Sequence, residues 1–205
     1  MSNANTAVAA KKGFQMGWKQ TIHLSLSLLI IAAVAAFVLS LVNAVTADTI
    51  AEHAAAKRQA AMVSVVPGAD VFSELYSEDK TIVGITGAYA GTQFKGYCVE
   101  VTPNSFGGAI SLMVGINEGG SVTGVAILDH SETAGLGAKA TDPAFLNQYI
   151  GKSGAITVNT GKNAINAITG ATITSKAVTE GINTALTAVL NYNAEGGLPT
   201  YEGEV

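Results

Sequence analysis

Ala167-Ile168-Thr169-Gly170-Ala171-Thr172-Ile173-Thr174-Ser175-Lys176 is the stretch that decides how the C-terminal half of this chain folds. A turn rich in hydroxyl groups passes there directly into a helical periodicity. Apolar residues recur about one helical turn apart, at Ile173, Ala177, Val178, Ile182, Ala185, Leu186, Val189 and Leu190. This spacing predicts an amphipathic α-helix that begins at the hydroxyl groups and ends at Gly196-Gly197.

The start of such a helix has two possible uses. Its first N–H groups lack partners within the helix and carry a partial positive charge, so a bound phosphate is stabilised there. Alternatively, the hydroxyl of Thr172 or Thr174 simply caps the helix, with Gly170 supplying the turn. The local chemistry alone leaves both interpretations open.

The N-terminal part of the chain is predicted to cross a membrane. Of the 205 residues, 48% are hydrophobic and only 13% are charged, and residues 20–47 contain no Lys, Arg, Asp or Glu. A run of roughly 20 apolar residues spans the hydrocarbon core as a helix. A cleaved signal peptide, with a cleavage site at Val45-Thr46-Ala47, is the alternative, but its apolar region usually has only about 7–15 residues. We therefore expect a retained transmembrane helix.

The flanking charges predict the orientation of this helix. Lys11, Lys12 and Lys19 precede it, whereas Asp48 and Glu52 are the first charges after it. Positively charged flanks stay on the cytoplasmic side. We expect a single-pass protein of the cell (inner) membrane, with residues 1–19 as a cytoplasmic tail and the C-terminal domain extracytoplasmic.

The rest of the chain is predicted to form one α+β domain. Residues 48–66 are rich in helix-forming residues and read as a helical stalk that Pro67-Gly68 ends. Residues 67–197 read as a mainly antiparallel sheet packed by helices, and residues 198–205 as an acidic tail. We expect strands near 81–89, 96–103, 109–117, 121–129 and 155–158, a turn at 118–120, and a helix over 142–149 capped by Asp142.

Several classes of function are disfavoured. Cys98 is the only cysteine and lies in an apolar run, so we expect a buried, inert thiol and no internal disulfide. The three histidines are far apart and lack the spacing of a metal site. A net charge of −4 argues against a nucleic-acid partner.

A second polar segment, residues 130–137, carries His130, Ser131 and Glu132 in succession. Neighbouring residues of an extended segment point to alternating sides, so these three cannot easily align as a catalytic triad. They are either turn residues that satisfy backbone groups or part of a binding loop.

Together, the two segments resemble a known family of flavinylated proteins. Thr169-Gly170-Ala171-Thr172, followed by Thr174 and Ser175, is similar to the S/T-G-A-T signature found in the G subunits of Rnf complexes and the C subunits of sodium-pumping NADH:quinone reductases. The family often has an aspartate where this chain has Asn166. The second segment matches the family's His-x-Glu-Thr-x-Gly-Leu-Gly signature at His130, Glu132, Thr133, Gly135, Leu136 and Gly137.

The resemblance implies a covalent cofactor. In the family, the last threonine of the tetrad is esterified by the phosphate of FMN, which falls here on Thr172, and a separate flavin transferase makes the bond with FAD as donor. The helix start makes Thr174, Ser175 and Lys176 candidates for contacts with the phosphate. The other candidate cofactor contacts lie in the two signatures, at Thr169, Gly170, Ala171, His130, Glu132, Thr133, Gly135, Leu136 and Gly137.

The resemblance also implies a function. The expected protein is the G subunit of an Rnf-type ferredoxin:NAD oxidoreductase, which carries electrons for an ion-translocating complex and has no catalytic residues of its own. The alternatives are the C subunit of the quinone reductase, a membrane-anchored FMN sensor, and a scaffold whose threonine is unmodified.

Overall fold

A computed structural model describes residues 18–76, 82–194 and 196 of the chain. Most of the predicted cytoplasmic tail and the predicted acidic tail lie outside these residues. The chain divides after residue 52 into two compact units. Its helices are α1 (Trp18–Val65), α2 (Pro143–Leu146) and α3 (Thr172–Ala194), and its strands are β1 (Val71–Tyr76), β2 (Ile82–Ala90), β3 (Gln93–Val101), β4 (Asn104–Ser105), β5 (Gly108–Ala109), β6 (Ser111–Asn117), β7 (Val122–Asp129), β8 (Thr157–Val158) and β9 (Ala164–Ile165).

The helix α1 contains a segment that is long and apolar enough to cross a membrane. Its apolar side chains from Ile22 to Ile50 are exposed rather than packed in a protein core. The helix is 48 residues long and ends at Val65, one residue before the predicted end, where Pro67 follows. A proline ring prevents further helical hydrogen bonding, which explains the position of the end.

The domain is built on a five-stranded antiparallel sheet with the order β1-β2-β3-β6-β7. The predicted α+β class and the mainly antiparallel sheet are therefore confirmed. The prediction missed β1, β4 and β9, because two to six residues give too weak a local pattern. The strand predicted near 155–158 is present only as the two residues of β8, and Ala109, the first residue of the strand predicted near 109–117, belongs to β5. The predicted helix over 142–149 is α2 followed by a 3-10 turn, Asn147–Tyr149, and the side chain of Asp142 makes no capping hydrogen bond.

The two faces of the sheet carry separate apolar clusters. The larger cluster joins the sheet to α2 and α3, and its fully buried members include Tyr97, Leu112, Tyr149 and Ile182. The smaller cluster joins the other face to the last turns of α1, through Ala61, Val65, Val66, Cys98, Met113 and Leu128. Strand residues alternate between the two clusters because successive side chains point to opposite faces.

Ile173 and Leu190 correct the predicted buried face of α3, since they are 58% and 57% exposed. Ile173 lies nine residues before the fully buried Ile182. Nine residues are two and a half turns at 3.6 residues per turn, so the two side chains point to opposite sides of the helix. Ile173 therefore points away from the core and is exposed at the start of α3.

A glycine notch on the sheet receives the end of α1. Gly115 pairs with Gly124, and the pairing then shifts to Ile116 with Val122, which leaves a bulge at Thr123. A Cβ atom on Gly115 would lie 2.1 Å from the carbonyl oxygen of Val65. The hydroxyl of Thr123 donates a hydrogen bond to that same oxygen. The glycines thus provide the space for the helix end, and the bulge residue Thr123 provides a partner for its last carbonyl.

An ion pair lies beside this contact. Nε of Arg58 lies 2.7 Å from Oε2 of Glu100, and its Nη2 donates to Oε1 at 3.1 Å. Glu100 is only 8% exposed and also accepts a hydrogen bond from the hydroxyl of Ser111 at 3.2 Å. A carboxylate this deeply buried needs such partners, because an unpaired buried charge is strongly unfavourable.

Cys98 lies on the same face and is 1% exposed, so the predicted burial of its thiol is confirmed. Burial raises the pKa of Cys98 to about 12. The reactive thiolate form is therefore scarce at neutral pH.

Gly115→Ala should destabilise the domain by about 1–3 kcal/mol, the usual cost of forcing extra volume into a packed site. The new methyl group would collide with the backbone of Val65. Urea unfolding of the full chain in detergent, followed by the near-ultraviolet circular dichroism of its buried tyrosines, measures the loss.

Gly119→Ala is the matched control. A Cβ atom there would meet only the side chain of Asn117, at an ordinary 3.4 Å. Equal unfolding midpoints for the two variants would contradict the role assigned to the notch.

Candidate functional site

The tetrad Thr169-Gly170-Ala171-Thr172 forms a tight turn that leads into α3. The N–H of Ala171 donates to the carbonyl of Ile168 at 3.0 Å, and Gly170 has a φ of +79°. This is the pattern of a type II turn, whose third position favours glycine. A Cβ atom on Gly170 would also lie 3.2 Å from Cδ2 of Leu136.

Ser175 joins the turn to the helix through two hydrogen bonds. Its hydroxyl accepts a hydrogen bond from the N–H of Ile168 and donates one to the carbonyl of Ala171, both at 2.9 Å. The residue is fully buried. The serine of the signature thus acts within the protein, between the two ends of the turn.

Amide side chains hold the segment that precedes the turn. Gln148 accepts from the N–H of Asn166 at 2.8 Å and donates to its carbonyl at 3.3 Å. Asn159 accepts from the N–H of Ala167 at 2.8 Å. Asn166, which stands where the family often has aspartate, is exposed and is held through its backbone.

Thr172 is the first residue of α3 and is exposed. Because α3 begins at Thr172, the capping position is Ala171, whose methyl group cannot accept a hydrogen bond. The predicted cap by the side chain of Thr172 is therefore not present. The amides of the first helical turn have no carbonyl four residues earlier in the helix. The hydroxyl of Thr172 therefore stands at the positive end of a 23-residue helix dipole.

Glu132 ties three segments of the chain together at this point. Its Oε1 accepts from the N–H of Gly107 at 3.0 Å, and its Oε2 accepts from the hydroxyl of Thr174 at 2.8 Å. A Cβ atom on Gly137 would lie 2.1 Å from Oε2 of Glu132 and 2.9 Å from the hydroxyl oxygen of Thr174. The loop can approach the helix only because residue 137 has no side chain.

Glu132 is held in its ionised form. Burial alone would raise the pKa of its carboxyl group, but the hydroxyl of Ser105 beside it, the hydrogen bonds from Gly107 and Thr174 and the nearby His130 together lower the pKa below its usual value. His130 itself accepts the N–H of Glu132 at Nδ1, at 3.3 Å. The carboxylate therefore acts as a charged acceptor for its neighbours at neutral pH.

A cavity of about 370 Å³ opens between the turn, the loop and the hairpin formed by β4 and β5. This volume falls within the usual range of small-molecule sites. Its lining combines apolar and hydroxyl-bearing residues: Phe106, Glu132, Thr133, Leu136, Gly137, Gly170, Ala171, Thr172, Ile173 and Thr174.

The structure brings most of the predicted site residues to this one cavity, although they come from two distant parts of the chain. Five predicted residues do not line it, of which Lys176 is described below. Ser175 is buried behind the turn, Thr169 is exposed on its outer side, His130 is bonded to the backbone of Glu132, and Gly135 has a φ of +78° within the loop. Their predicted cofactor contacts stay predictions.

Lys176 lies apart from these residues. It lines a separate open groove of about 720 Å³ along another side of α3, together with Glu180 and Asn183. The predicted contact of its ammonium group with a phosphate on Thr172 has no support in this position and stays untested.

Sequence reasoning missed two lining residues, Phe106 and Ile173, and two residues behind them, Ser105 and Gly107. For Phe106 and Gly107 the sequence does hold a signal, because an aromatic residue stands directly before two glycines in Phe106-Gly107-Gly108. Such a sequence marks a tight tip but does not say what the tip faces. Ile173 was assigned to the core because its apolar character matched the helical pattern.

Comparison with known proteins covers both parts of the chain. Residues 16–65 match a family model described as the RnfG N-terminal region, and residues 105–187 match one described as an FMN-binding domain. Both signatures fall within the second match.

One relative aligns over almost its entire length. The G subunit of the Na⁺-translocating ferredoxin:NAD⁺ oxidoreductase complex of Acetobacterium woodii is 36% identical over an aligned length of 202 residues, and the alignment covers 88% of this chain and 97% of that protein. The G subunit of the proton-translocating complex of Clostridium ljungdahlii is 40% identical over an aligned length of 109 residues, and the alignment covers 51% of this chain and 59% of that protein.

Among solved structures, the C subunit of the Na⁺-translocating NADH-quinone reductase of Parabacteroides distasonis superposes with a TM-score of 0.46 at 24% identity, over 53% of this chain and 61% of that one. The Acetobacterium woodii relative is a G subunit, and the family model matched by residues 16–65 also describes this subunit. The chain therefore belongs to the family of G subunits of Rnf-type, ion-translocating ferredoxin:NAD⁺ oxidoreductase complexes.

Proposed function

We propose that this chain carries one FMN, bound through its phosphate to the hydroxyl oxygen of Thr172, and that it transfers electrons within a membrane complex of the Rnf type. The single observation that carries the proposal is the position of Thr172. An exposed hydroxyl stands at the start of a long helix and on the wall of a cavity of about 370 Å³. Membership of the family indicates that the cofactor is FMN and that the complex is of the Rnf type.

The residues present fit FMN by their chemistry. A phosphate ester on Thr172 would meet the first-turn amides and the positive end of α3. The apolar wall suits a flat ring system, and residues 137 and 170 form a cradle that any side chain would begin to fill. When bound, FMN supplies reversible one- and two-electron chemistry.

The chain's own residues would hold the group in place. Ser175 fixes the turn that presents Thr172, and Glu132 keeps the loop and the hairpin against the first turn of α3. The linkage through oxygen leaves the ring free of covalent change and prevents loss of the cofactor to a dilute compartment, since the local concentration of a tethered group stays high.

Attachment requires a partner enzyme. A flavin transferase would use FAD, so that the hydroxyl oxygen of Thr172 forms a bond to the phosphorus of the FMN half while the pyrophosphate bond breaks and AMP leaves. The hydroxyl proton goes to a base of the transferase or to water. The exposure of Thr172 supports access to the acceptor after the domain has folded.

The domain boundaries and the orientation belong to the same proposal. Residues 1–19 form a cytoplasmic tail, 20–47 the transmembrane span, 48–66 a stalk, 67–197 the extracytoplasmic FMN-binding domain and 198–205 a C-terminal tail. The charge asymmetry across the span, with Lys19 before it and Asp48 and Glu52 after it, supports this topology. The other subunits of the complex are its partners in the membrane.

Thr172→Ala should abolish covalent flavin and leave the fold intact. An exposed side chain at a helix start contributes less than about 1 kcal/mol to stability. The intact mass, measured after expression in the native membrane with the transferase, should fall by one FMN less one water relative to wild type, in addition to the mass difference between threonine and alanine.

Thr187→Ala is the control for this substitution, because Thr187 is an exposed threonine on the same helix. Covalent FMN retained in the Thr172 variant would contradict the attachment site. Unmodified wild-type protein from such a membrane would favour the scaffold, and a flavinylated chain that purifies without partner subunits would favour the sensor.

Glu132→Gln should lower stability at pH 7 because a charged acceptor of two hydrogen bonds is lost. The folded-state pKa of Glu132 lies below its usual value, so its contribution is present above the unfolded value of about 4.3 and is lost as pH falls through the folded value. The difference in melting temperature between wild type and variant should therefore shrink below about pH 4.3.

Glu118→Gln, which changes an exposed carboxylate in the turn between β6 and β7, is the comparison for Glu132→Gln. A pH-independent gap between wild type and the Glu132 variant would show that the carboxylate's charge does not hold the segments together.

The topology predicts that a cysteine in the domain can be labelled from outside the cytoplasmic membrane. Lys162→Cys introduces an exposed thiol, whereas the native Cys98 is buried. A membrane-impermeant maleimide should modify the variant in spheroplasts and leave wild type unlabelled. Labelling that requires lysis of the cells would reverse the proposed orientation.

A further inference from the structure

Three large apolar side chains are exposed around the cavity beside Thr172. Phe106 is 72% exposed, Ile173 is 58% exposed and Leu136 is 46% exposed, and all three line that cavity. Single exposed apolar residues are common on protein surfaces, but a group around one concave site indicates a binding function. No other aromatic residue of the described chain lines this cavity.

The backbone next to Phe106 is held in place although the side chain of Phe106 is exposed. It lies at the tip between β4 and β5, where the next N–H, that of Gly107, donates to Glu132 at 3.0 Å. A Cβ atom on Gly107 would lie only 2.3 Å from the carbonyl oxygen of Ser131, so the backbone of the tip is in close contact with the backbone of the loop. The backbone of the hairpin tip is thus fixed, and it carries an aromatic ring at the cavity.

Leu136 and Ile173 are fixed in the same way by their elements. Leu136 lies against Gly170 of the tetrad turn, and Ile173 points away from the buried face of α3 because it is two and a half turns from Ile182. Both side chains line the cavity and are absent from the apolar core. Together with Phe106 they form an apolar rim, which is defined by these three residues.

We propose that the apolar rim binds the isoalloxazine ring of the flavin attached at Thr172, with Phe106 stacked on the ring and Leu136 and Ile173 at its borders. This inference rests on the proposed function, because it requires the phosphate to be anchored at Thr172. Flat aromatic systems pack favourably against a phenyl ring, and the rim supplies the only such ring beside the anchor in the described chain. Phe106 is thus a positioning residue for the cofactor.

Tryptophan substitution tests the contact directly. An indole ring in contact with an excited flavin donates an electron to it and removes its fluorescence, so quenching reports contact. Phe106→Trp is made in the full chain, in the native membrane with the transferase, and covalent flavin is verified by mass. The ratio of flavin emission before and after denaturation, per covalent flavin, then measures contact independently of electron-transfer activity.

We expect Phe106→Trp to lose most of the native flavin emission relative to wild type. Leu190→Trp is the matched control, because Leu190 is 57% exposed and follows Thr172 by 18 residues of the same helix, about 27 Å at 1.5 Å per residue. Its emission should equal that of wild type. The native Trp18 is present in all variants and cancels in the comparison.

Phe106→Ala provides a second readout. Removal of the phenyl ring should make the flavin more accessible to iodide, so that the slope of emission quenching against iodide concentration rises above that of wild type. This measurement also covers the case in which the tryptophan variant does not accumulate.

The outcomes separate the two proposals. Covalent flavin with wild-type emission in Phe106→Trp, or with unchanged iodide quenching in Phe106→Ala, would overturn the ring contact and leave the rim for an apolar surface of a partner subunit. Absence of covalent flavin from the wild-type chain would overturn the proposed function itself.

Discussion

The carboxylate of Glu132 is the interaction on which the geometry of the site depends. It accepts hydrogen bonds from the backbone of Gly107 and from the hydroxyl of Thr174, so it joins a hairpin tip, a loop and the first turn of α3. No backbone ladder links these three segments in the described part of the chain. A charged acceptor is suited to the task because hydrogen bonds to an ionised group are roughly twice as strong as those between neutral groups.

Several glycines are as important to this architecture as the side chains that form contacts. Gly107 and Gly137 let the hairpin and the helix approach Glu132 and its loop, and Gly115 and Gly124 let the end of α1 reach the sheet. In each case a Cβ atom would collide with backbone or with a hydrogen-bonding group. These glycines serve close approach, whereas Gly170 serves a turn with positive φ.

The polar residues of the tetrad region divide into two groups with different roles. Ser175 and Thr174 point into the protein, where one fixes the turn and the other bonds to Glu132. Thr172 alone combines exposure, the first position of α3 and a place on the cavity wall. The buried hydroxyls therefore shape the surface on which the exposed one acts.

The sequence by itself determined the long apolar helix, the antiparallel sheet, the last helix and the chemical character of the threonine turn, because these depend on periodicity and on turn residues within a few positions of one another. Through its resemblance to a known family it also indicated that residues 130–137 and 169–176 belong to one site. Only the tertiary structure decided which members of these segments share a cavity, that Lys176 faces another groove, and that Phe106 and Ile173 complete the rim. The physical reason is that a local pattern specifies the conformation of a segment, whereas the direction in which a side chain meets a distant segment is set by sheet register, a bulge at Thr123 and the bonds of Glu132.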